Sequence, residues 1–161
     1  MAFKISIGKL FNYISWLGLP YFYLLAIICL WYIEPILSIK LLFSTIAIEI
    51  ICAVIKLIYQ KERPKPITRR TLYEIYEAGS FPSIHSARII SVFIVLTIIS
   101  NSILSILVGV FITLAVGYSR MYLKKHDFID VVGGFLIGTF ITIFFLINNY
   151  DIERLLQIVK V

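Results

Sequence analysis

Three short stretches of the sequence combine cations, histidines and a carboxylate at regular spacing. The first is Lys56 followed by Arg63-Pro64, in which the two cations are seven positions apart and would share one face of a continuing helix. Pro64 would then end that helix. A lysine inside an apolar run either faces a polar cavity or extends toward the membrane surface, and the sequence leaves both alternatives open.

The second stretch is Pro82-Ser83-Ile84-His85, at the start of a long apolar segment. A proline at this place indicates the first turn of a helix, where free backbone N–H groups can bind an anion. His85 would lie beside that anion. A single histidine at a helix end is more often structural than catalytic, so this stretch alone decides little.

The third stretch contains Ser119-Arg120, His126 and Asp130. His126 and Asp130 are four positions apart, so on a helix they face the same way. A carboxylate beside a histidine fixes the tautomer of the ring and stabilises its protonated form. Arg120 adds a planar set of donors that suits phosphate oxygens. Taken alone, an ordinary surface His–Asp pair explains this stretch equally well.

Together the three stretches supply the groups that phosphoryl transfer requires. His126 can attack phosphorus while Asp130 orients its ring, and His85 can protonate the leaving oxygen. No group of Asp, Glu, Cys and His has the spacing of metal ligands, so we expect a reaction without a metal ion or another cofactor. Three cations can bind the non-bridging phosphate oxygens: Lys56, Arg63 and Arg120.

The rest of the sequence is typical of a membrane protein. Of its 161 residues, 60% are hydrophobic and 15% are charged, whereas soluble domains have about 45–50% and about 25%. This composition excludes a disordered chain, a disulfide scaffold and a water-soluble globule, and the length predicts a single domain over 1–161.

A membrane-spanning helix needs about 20 apolar residues. Five stretches qualify: Trp16–Ile33, Ile36–Tyr59, Pro82–Ser100, Ile103–Tyr122 and Phe128–Ile147.

We therefore predict an all-α, polytopic membrane bundle of about five transmembrane helices. The segment Ala2–Ile14 mixes lysines with apolar residues, which predicts an N-terminal helix lying on the membrane surface. The tail Asn148–Val161 is short and mixed, and we expect another interfacial turn of helix there. The turns at Glu34-Pro35 and Asn101-Ser102 are so short that their flanking helices should be antiparallel neighbours.

Counting the spans places the chemistry at one face of the bundle. The chain leaves the membrane after the second span and re-enters at the third, so the 22-residue segment Gln60–Phe81 lies on one side. Two further crossings return the chain to that side at Arg120–Asp127. Loops as long as Gln60–Phe81 are often functional. Both histidines and most basic residues meet at this face, which predicts a single anionic site.

Two other features lie within the spans. Glu49 is an intramembrane carboxylate, and we expect it to pair with Arg88 across the second and third spans, beneath the site. Gly134 and Gly138 form a small-residue motif whose ordinary interpretation is close helix packing. Homodimerisation through that motif is the less favoured alternative.

With these residues in place, the sequence resembles the type 2 phosphatidic acid phosphatase superfamily, which also includes the vanadium haloperoxidases. The signature of that family reads Lys-x6-Arg-Pro, Pro-Ser-Gly-His and Ser-Arg-x5-His-x3-Asp. The chain matches its first and third parts in full, and its second part except at Ile84, where the family has glycine. Glycine permits a positive φ that a β-branched residue avoids. A five-span bundle is similar to the lipid phosphatase branch, without the first of the six spans common there.

The resemblance implies a role for each matching residue. His126 would be the nucleophile that forms a phosphohistidine, and Asp130 would support it. His85 would be the acid for the leaving group and then the base for water. The implied phosphate-binding residues are Lys56, Arg63, Ser83, Arg120 and, through its amide, Ile84.

The expected function is hydrolysis of a lipid phosphate or diphosphate by an integral protein of the cell membrane. An isoprenoid diphosphate is the first choice, because a small chain has no extra domain to recognise an elaborate headgroup. Phosphatidic acid or phosphatidylglycerophosphate is the alternative substrate. An inactive lipid-binding or transport protein on the same bundle is the non-enzymatic alternative. The expected partners are the lipid substrate and the bilayer, with no nucleic acid.

The sequence leaves the sidedness of the site open. Basic residues are concentrated on the side that carries the histidines, and the positive-inside rule would place that side in the cytoplasm. Basic residues that bind phosphate produce the same asymmetry, and many members of the family that the chain resembles place the site on the outer side.

Overall fold

The computed structural model describes residues 6–148, which form seven α-helices and no strand. The all-α prediction is confirmed. The predicted interfacial turn in the tail falls on residues 149–161 and the start of the predicted surface helix on residues 1–5, both outside the described residues. In chain order the helices are α1 (Ile7–Trp16), α2 (Pro20–Ile33), α3 (Pro35–Ile58), α4 (Leu72–Ala78), α5 (Ile84–Ser100), α6 (Ile103–Tyr122) and α7 (Phe128–Ile147).

Three of these helices, α3, α6 and α7, are long and apolar enough to cross a membrane. The pair α1 and α2 is a fourth candidate, bent by 44° at the break between the two helices. Helix α5 is apolar but has only 17 residues, about 26 Å at about 1.5 Å per residue. That is slightly less than a hydrocarbon core of about 30 Å. Three of the five predicted spans thus correspond to the long helices, the third to the short α5 and the first mainly to α2, which reaches spanning length only together with α1.

The first predicted span, Trp16–Ile33, is interrupted by a short turn. Pro20 opens α2 at a position where its missing N–H removes no helical hydrogen bond. Before that turn, α1 packs on α6 through Phe11, whose ring centroid lies 5.4 Å from that of Tyr118 and 4.4 Å from that of Tyr122. Helix α1 therefore belongs to the bundle, and its location at the membrane surface stays a prediction.

Helix α5 is the centre of the bundle and contacts α2, α3, α6 and α7. Helix α7 approaches it through two glycines. A Cβ atom on Gly134 would lie 2.3 Å from the carbonyl oxygen of Ser83, and one on Gly138 would lie 2.4 Å from that of Ala87. Close helix packing by these glycines is confirmed. These glycines face α5 within the chain, and a homodimer stays a prediction.

Two clusters of buried side chains hold the bundle together. One joins α2, α3 and α5: Tyr23, Leu30, Leu41, Val92 and Val95. The other joins α3, α5 and α7: Ile48, Cys52, Ile84, Ala87 and Ile141. The second cluster contains the first residue of α5, so it fixes the end of the helix that carries His85.

The segment Gln60–Phe81 is folded and contains α4. The hydroxyl of Thr71 accepts a hydrogen bond from the Glu74 amide at 3.2 Å and caps this helix. The hydroxyl of Ser80 donates to the Glu62 carbonyl at 3.1 Å, which ties the end of the segment to its start. The segment is thus a structured wall at one end of the bundle.

Candidate active site

A cavity of about 660 Å³ opens where α5 begins and where α3 and α6 end. The structure brings both histidines and all three predicted phosphate-binding cations to this cavity. Ile84 lines it as well, while Ser83 and Asp130 are fully buried. The ionisable side chains that line it are Lys56, Arg63, Arg88, Arg120, Lys125, His85, His126 and Glu77, together with the phenols of Tyr21, Tyr73 and Tyr76.

Lys56 points into the bundle from the last turn of α3. Its side chain is buried, and its ammonium group donates a hydrogen bond to the carbonyl oxygen of Gly79 at 2.5 Å. Of the two alternatives for this lysine, the polar cavity is confirmed. Helix α3 ends at Ile58 and does not continue to Arg63, so the condition under which Lys56 and Arg63 would share one helix face is not met. The chain beyond the helix nevertheless returns Arg63 to the same cavity.

The start of α5 has no side-chain cap. Ser83 is the N-cap residue, but its hydroxyl accepts a hydrogen bond from the Ser86 hydroxyl at 3.0 Å, and its amide donates to the Asp130 carbonyl at 2.9 Å. The only non-glycine residues with positive φ within the described part of the chain are Asn101 and Lys124. Ile84 is the first residue of α5, so its backbone is helical and the position does not require the positive φ that glycine permits.

Helix α7 begins with a capping box that also orients the predicted His–Asp pair. The Asp127 carboxylate accepts from the Asp130 amide at 3.0 Å, and the Asp130 carboxylate accepts from the Asp127 amide at 3.0 Å. The same Asp130 oxygen lies 3.6 Å from Nδ1 of His126. This distance is longer than a hydrogen bond. The cap holds the carboxylate toward the ring, and Nε2 is then the nitrogen left for the cavity.

The surroundings of His126 favour a neutral ring. Burial lowers the pKa of His126 to about 4, and the nearby charges of Arg120, Lys56 and Arg63 act in the same direction, while Asp130 opposes them. At neutral pH the ring is therefore uncharged, with a proton on only one of its two nitrogens. A neutral imidazole is the form that can act as a nucleophile.

Lys61 holds the buried carboxylate from the other side and was not singled out from the sequence. Its ammonium group donates to Asp127 at 2.5 Å and to Asp130 at 2.7 Å. Partial burial lowers the pKa of Lys61, but the hydrogen bonds to the two carboxylates outweigh it, and the net shift is upward. Lys61 and Asp130 are 69 positions apart, and no spacing rule connects residues so distant in the chain.

Arg120 extends from the last turn of α6 and is buried. One terminal nitrogen, Nη1, donates to the hydroxyl of Ser15 at 2.7 Å. Lys125 and Glu77 also line the cavity. The sequence marked both only as members of charged segments, and the matching motifs contain neither of them.

Unpaired polar atoms are concentrated at this site. Among the side chains of residues 6–148, four buried nitrogen or oxygen atoms have no hydrogen-bond partner: Nε of Arg63, Oγ1 of Thr113, Nε of Arg120 and Nδ1 of His126. Three of the four belong to residues that line the cavity. A buried donor without a partner costs about 1–3 kcal/mol. Two of these atoms belong to guanidinium groups, the side chains that are best suited to phosphate oxygens.

The predicted pair between Glu49 and Arg88 is confirmed. Nε of Arg88 donates to one carboxylate oxygen of Glu49 at 2.5 Å, and Nη2 donates to the other at 2.8 Å. The Tyr23 hydroxyl also donates to Glu49, at 3.4 Å. Arg88 lines the cavity, but its charge is already compensated.

The family model described as the PAP2 superfamily matches residues 37–153. This range is well over half of the chain and contains all three motif stretches. The chain belongs to the PAP2 superfamily. The family resemblance drawn from the motifs is thereby confirmed.

Two solved structures have a fold similar to that of this chain. The crystal structure of Aquifex aeolicus LpxE has a TM-score of 0.74 and 21% identity, over 87% of this chain and 85% of that chain. The crystal structure of the first transmembrane PAP2 type phosphatidylglycerolphosphate phosphatase from Bacillus subtilis has a TM-score of 0.71 and 21% identity, over 89% of this chain and 79% of that chain. No curated protein matches the sequence. The chain is therefore a membrane protein with the PAP2 phosphatase fold.

Proposed function

We propose that the protein is a multi-pass phosphatase of the cell membrane that hydrolyses a lipid phosphate or diphosphate without a metal ion. One observation carries this proposal. Three stretches distant in sequence place two histidines and three cations around one cavity of about 660 Å³, at the end of an apolar helical bundle. That set of groups matches the needs of phosphoryl transfer.

In the first step, Nε2 of His126 attacks phosphorus. A P–N bond forms, the P–O bond to the leaving group breaks, and His85 gives its proton to the departing oxygen. Asp130 keeps the His126 ring oriented and stabilises the positive charge that the ring acquires. The equatorial phosphate oxygens are bound by the three cations of the motifs: Lys56, Arg63 and Arg120.

In the second step, water releases the phosphate. His85, now neutral, takes a proton from a water molecule, whose oxygen attacks phosphorus. The P–N bond breaks, and both histidines return to their initial state. The start of α5 has no side-chain cap, so its first amides can also donate to the phosphate.

Among lipid phosphates, an isoprenoid diphosphate is the substrate that we propose first. Besides the three motif cations, the cavity carries Lys125, and Glu77 is the single carboxylate among its described lining residues. This excess of positive charge suits a diphosphate better than a single phosphate. Phosphatidic acid and phosphatidylglycerophosphate are the alternative substrates.

The test is release of inorganic phosphate by the purified protein in detergent with EDTA present. The panel contains an isoprenoid diphosphate, phosphatidic acid and phosphatidylglycerophosphate. We expect turnover that EDTA leaves unchanged, fastest with the diphosphate, and a loss of about 10⁴-fold or more in His126→Ala. A phosphoenzyme that survives alkali and is destroyed by acid should accumulate during turnover.

Two outcomes would contradict the proposal. Turnover equal in wild type and His126→Ala would exclude the phosphohistidine mechanism. No turnover of any member of the panel by monodisperse wild-type protein would favour the inactive lipid-binding protein instead.

A further inference from the structure

We infer that Ser15 and Gly18, at the junction of α1 and α2, are positioning residues of the active site. Ser15 orients Arg120, and Gly18 leaves the space that the His85 ring occupies. This inference rests on the proposed function, which gives Arg120 and His85 their roles. Neither residue is part of the three motifs, and both precede residues 37–153, which the family model matches.

Ser15 lies in the last turn of α1 and is 5% exposed. Its hydroxyl accepts the hydrogen bond from Nη1 of Arg120 at 2.7 Å. Within the described residues this is the one protein hydrogen bond of that guanidinium, since Nε has no partner. A planar group held at one end has its other donors fixed in direction. Ser15 therefore restrains the plane of the Arg120 guanidinium beside the cavity that Arg120 lines.

Gly18 lies directly against His85. A Cβ atom on Gly18 would be 2.7 Å from Cβ and 2.7 Å from Cδ2 of the histidine. His85 stands on the first turn of the central helix, whose backbone is fixed by packing against its neighbours. A side chain at position 18 would therefore displace the imidazole or the turn itself.

The turn is held in place from both sides, so it cannot easily move away. The Gly18 carbonyl accepts from Nη1 of Arg88 at 3.2 Å. Helix α1 is anchored on α6 by Phe11, and α2 contacts α3 and α5. The residues that follow the turn, Leu19, Pro20 and Tyr21, line the cavity. The bend between α1 and α2 thus brings the backbone of residue 18 to the site.

The first test is Gly18→Ala, with Gly8→Ala as the matched control because a Cβ at Gly8 has nothing within 4 Å. We expect kcat of Gly18→Ala to fall at least tenfold with KM little changed, and the limb of the pH profile that reports His85 to shift. Gly8→Ala should behave like wild type. Equal kcat and equal pH profiles in the two variants would overturn the role of Gly18.

The second test is Ser15→Ala, with Ser15→Thr as the variant that keeps the hydroxyl. We expect the dissociation constant for inorganic phosphate, and KM, to rise about tenfold in Ser15→Ala and to return toward wild type in Ser15→Thr. A residue with a purely structural role would lower thermal stability and leave phosphate affinity unchanged. Wild-type phosphate affinity in folded Ser15→Ala would overturn the role of Ser15, and this measurement still decides if Gly18→Ala fails to fold.

Failure of the inference can be told from failure of the proposed function. If wild type turns over and His126→Ala does not, while Ser15→Ala and Gly18→Ala match wild type, the inference alone is wrong. If wild type turns over no lipid phosphate, the proposed function is wrong. Phosphate affinity of the Ser15 variants then tests whether Ser15 orients Arg120 for anion binding.

Discussion

Asp130 and Glu49 are both carboxylates held by a cation inside the helical bundle, but they are held differently. Glu49 uses both oxygens to bind Arg88, at 2.5 and 2.8 Å, and the two side chains form a closed pair. Asp130 divides its oxygens between Lys61 on one side and the Asp127 amide on the other, and the second oxygen lies 3.6 Å from His126.

The difference separates a structural ion pair from the cluster that we propose as the active site. The guanidinium of Arg88 donates to the Glu49 carboxylate and to the Gly18 carbonyl. None of its nitrogens is buried without a hydrogen-bond partner. The cluster around Asp130 contains His126, and the nearby Arg63 and Arg120 each keep a buried nitrogen without a partner. Buried polar groups are rarely left unsatisfied. Unpaired buried atoms therefore separate the proposed site from the Glu49–Arg88 pair.

Between the two carboxylates, the larger effect on activity is expected from changing Asp130, in the variant Asp130→Asn. The amide keeps the shape of the side chain but can present an N–H to His126, which stabilises the wrong tautomer of the ring. We expect kcat to fall about 10³- to 10⁴-fold. The matched control is Asp127→Asn, which changes the other residue of the capping box and should cost far less activity. A loss of less than tenfold in Asp130→Asn would show that the carboxylate does not serve His126.

The largest effect on stability is expected from Glu49→Ala. This change leaves the buried Arg88 without its partner, and breaking a buried pair from one side costs about 3–5 kcal/mol of unfolding free energy. Unfolding in detergent by a denaturant series should measure it, and kcat per folded molecule should change much less than in Asp130→Asn. The double variant Glu49→Leu with Arg88→Leu should recover most of the stability. A stable Glu49→Ala protein would contradict the structural role of the pair.

The sequence predicts those parts of the site that lie within short stretches. His126 and Asp130 are four positions apart, and Pro82 to His85 are contiguous, so helix geometry and motif spacing suffice. The pair Glu49–Arg88 was also predictable, because intramembrane charges need partners.

The parts that the sequence does not predict depend on tertiary contacts. Lys61 reaches Asp130 across 69 positions, and Ser15 reaches Arg120 across 105 positions. The sequence predicts the end of the second span to within one residue, but it does not show how the chain beyond Ile58 returns Arg63 to the cavity. Hydropathy predicts a full span over the short α5, because it counts apolar residues and does not show whether protein or lipid surrounds them.

A smaller loss of activity is expected from Lys61→Met. Methionine keeps the length of the side chain and removes the hydrogen bonds to Asp127 and Asp130, but the Asp127 amide still holds the Asp130 carboxylate. We therefore expect kcat to fall about tenfold, by about 1.4 kcal/mol of barrier. Lys65→Met is the control, because Lys65 is exposed and belongs to the same segment. Equal kcat in the two variants would show that Lys61 does not contribute to catalysis.

The smallest effect is a shift in the pKa of His126. It tests directly the electrostatics of the cluster around Asp130. The chain has two histidines, so His85→Gln leaves His126 as the single imidazole signal in an NMR titration. Burial and neighbouring cations lower its pKa to about 4. The ring should therefore stay neutral as the pH falls from 7 and take up its proton only near pH 4. Adding inorganic phosphate should move the midpoint upward, because a bound anion offsets the charges of Arg63 and Arg120. A titration midpoint of His126 near 6.5 without phosphate would mean that water reaches the ring. The ring would then not be buried among the cations as the structure shows.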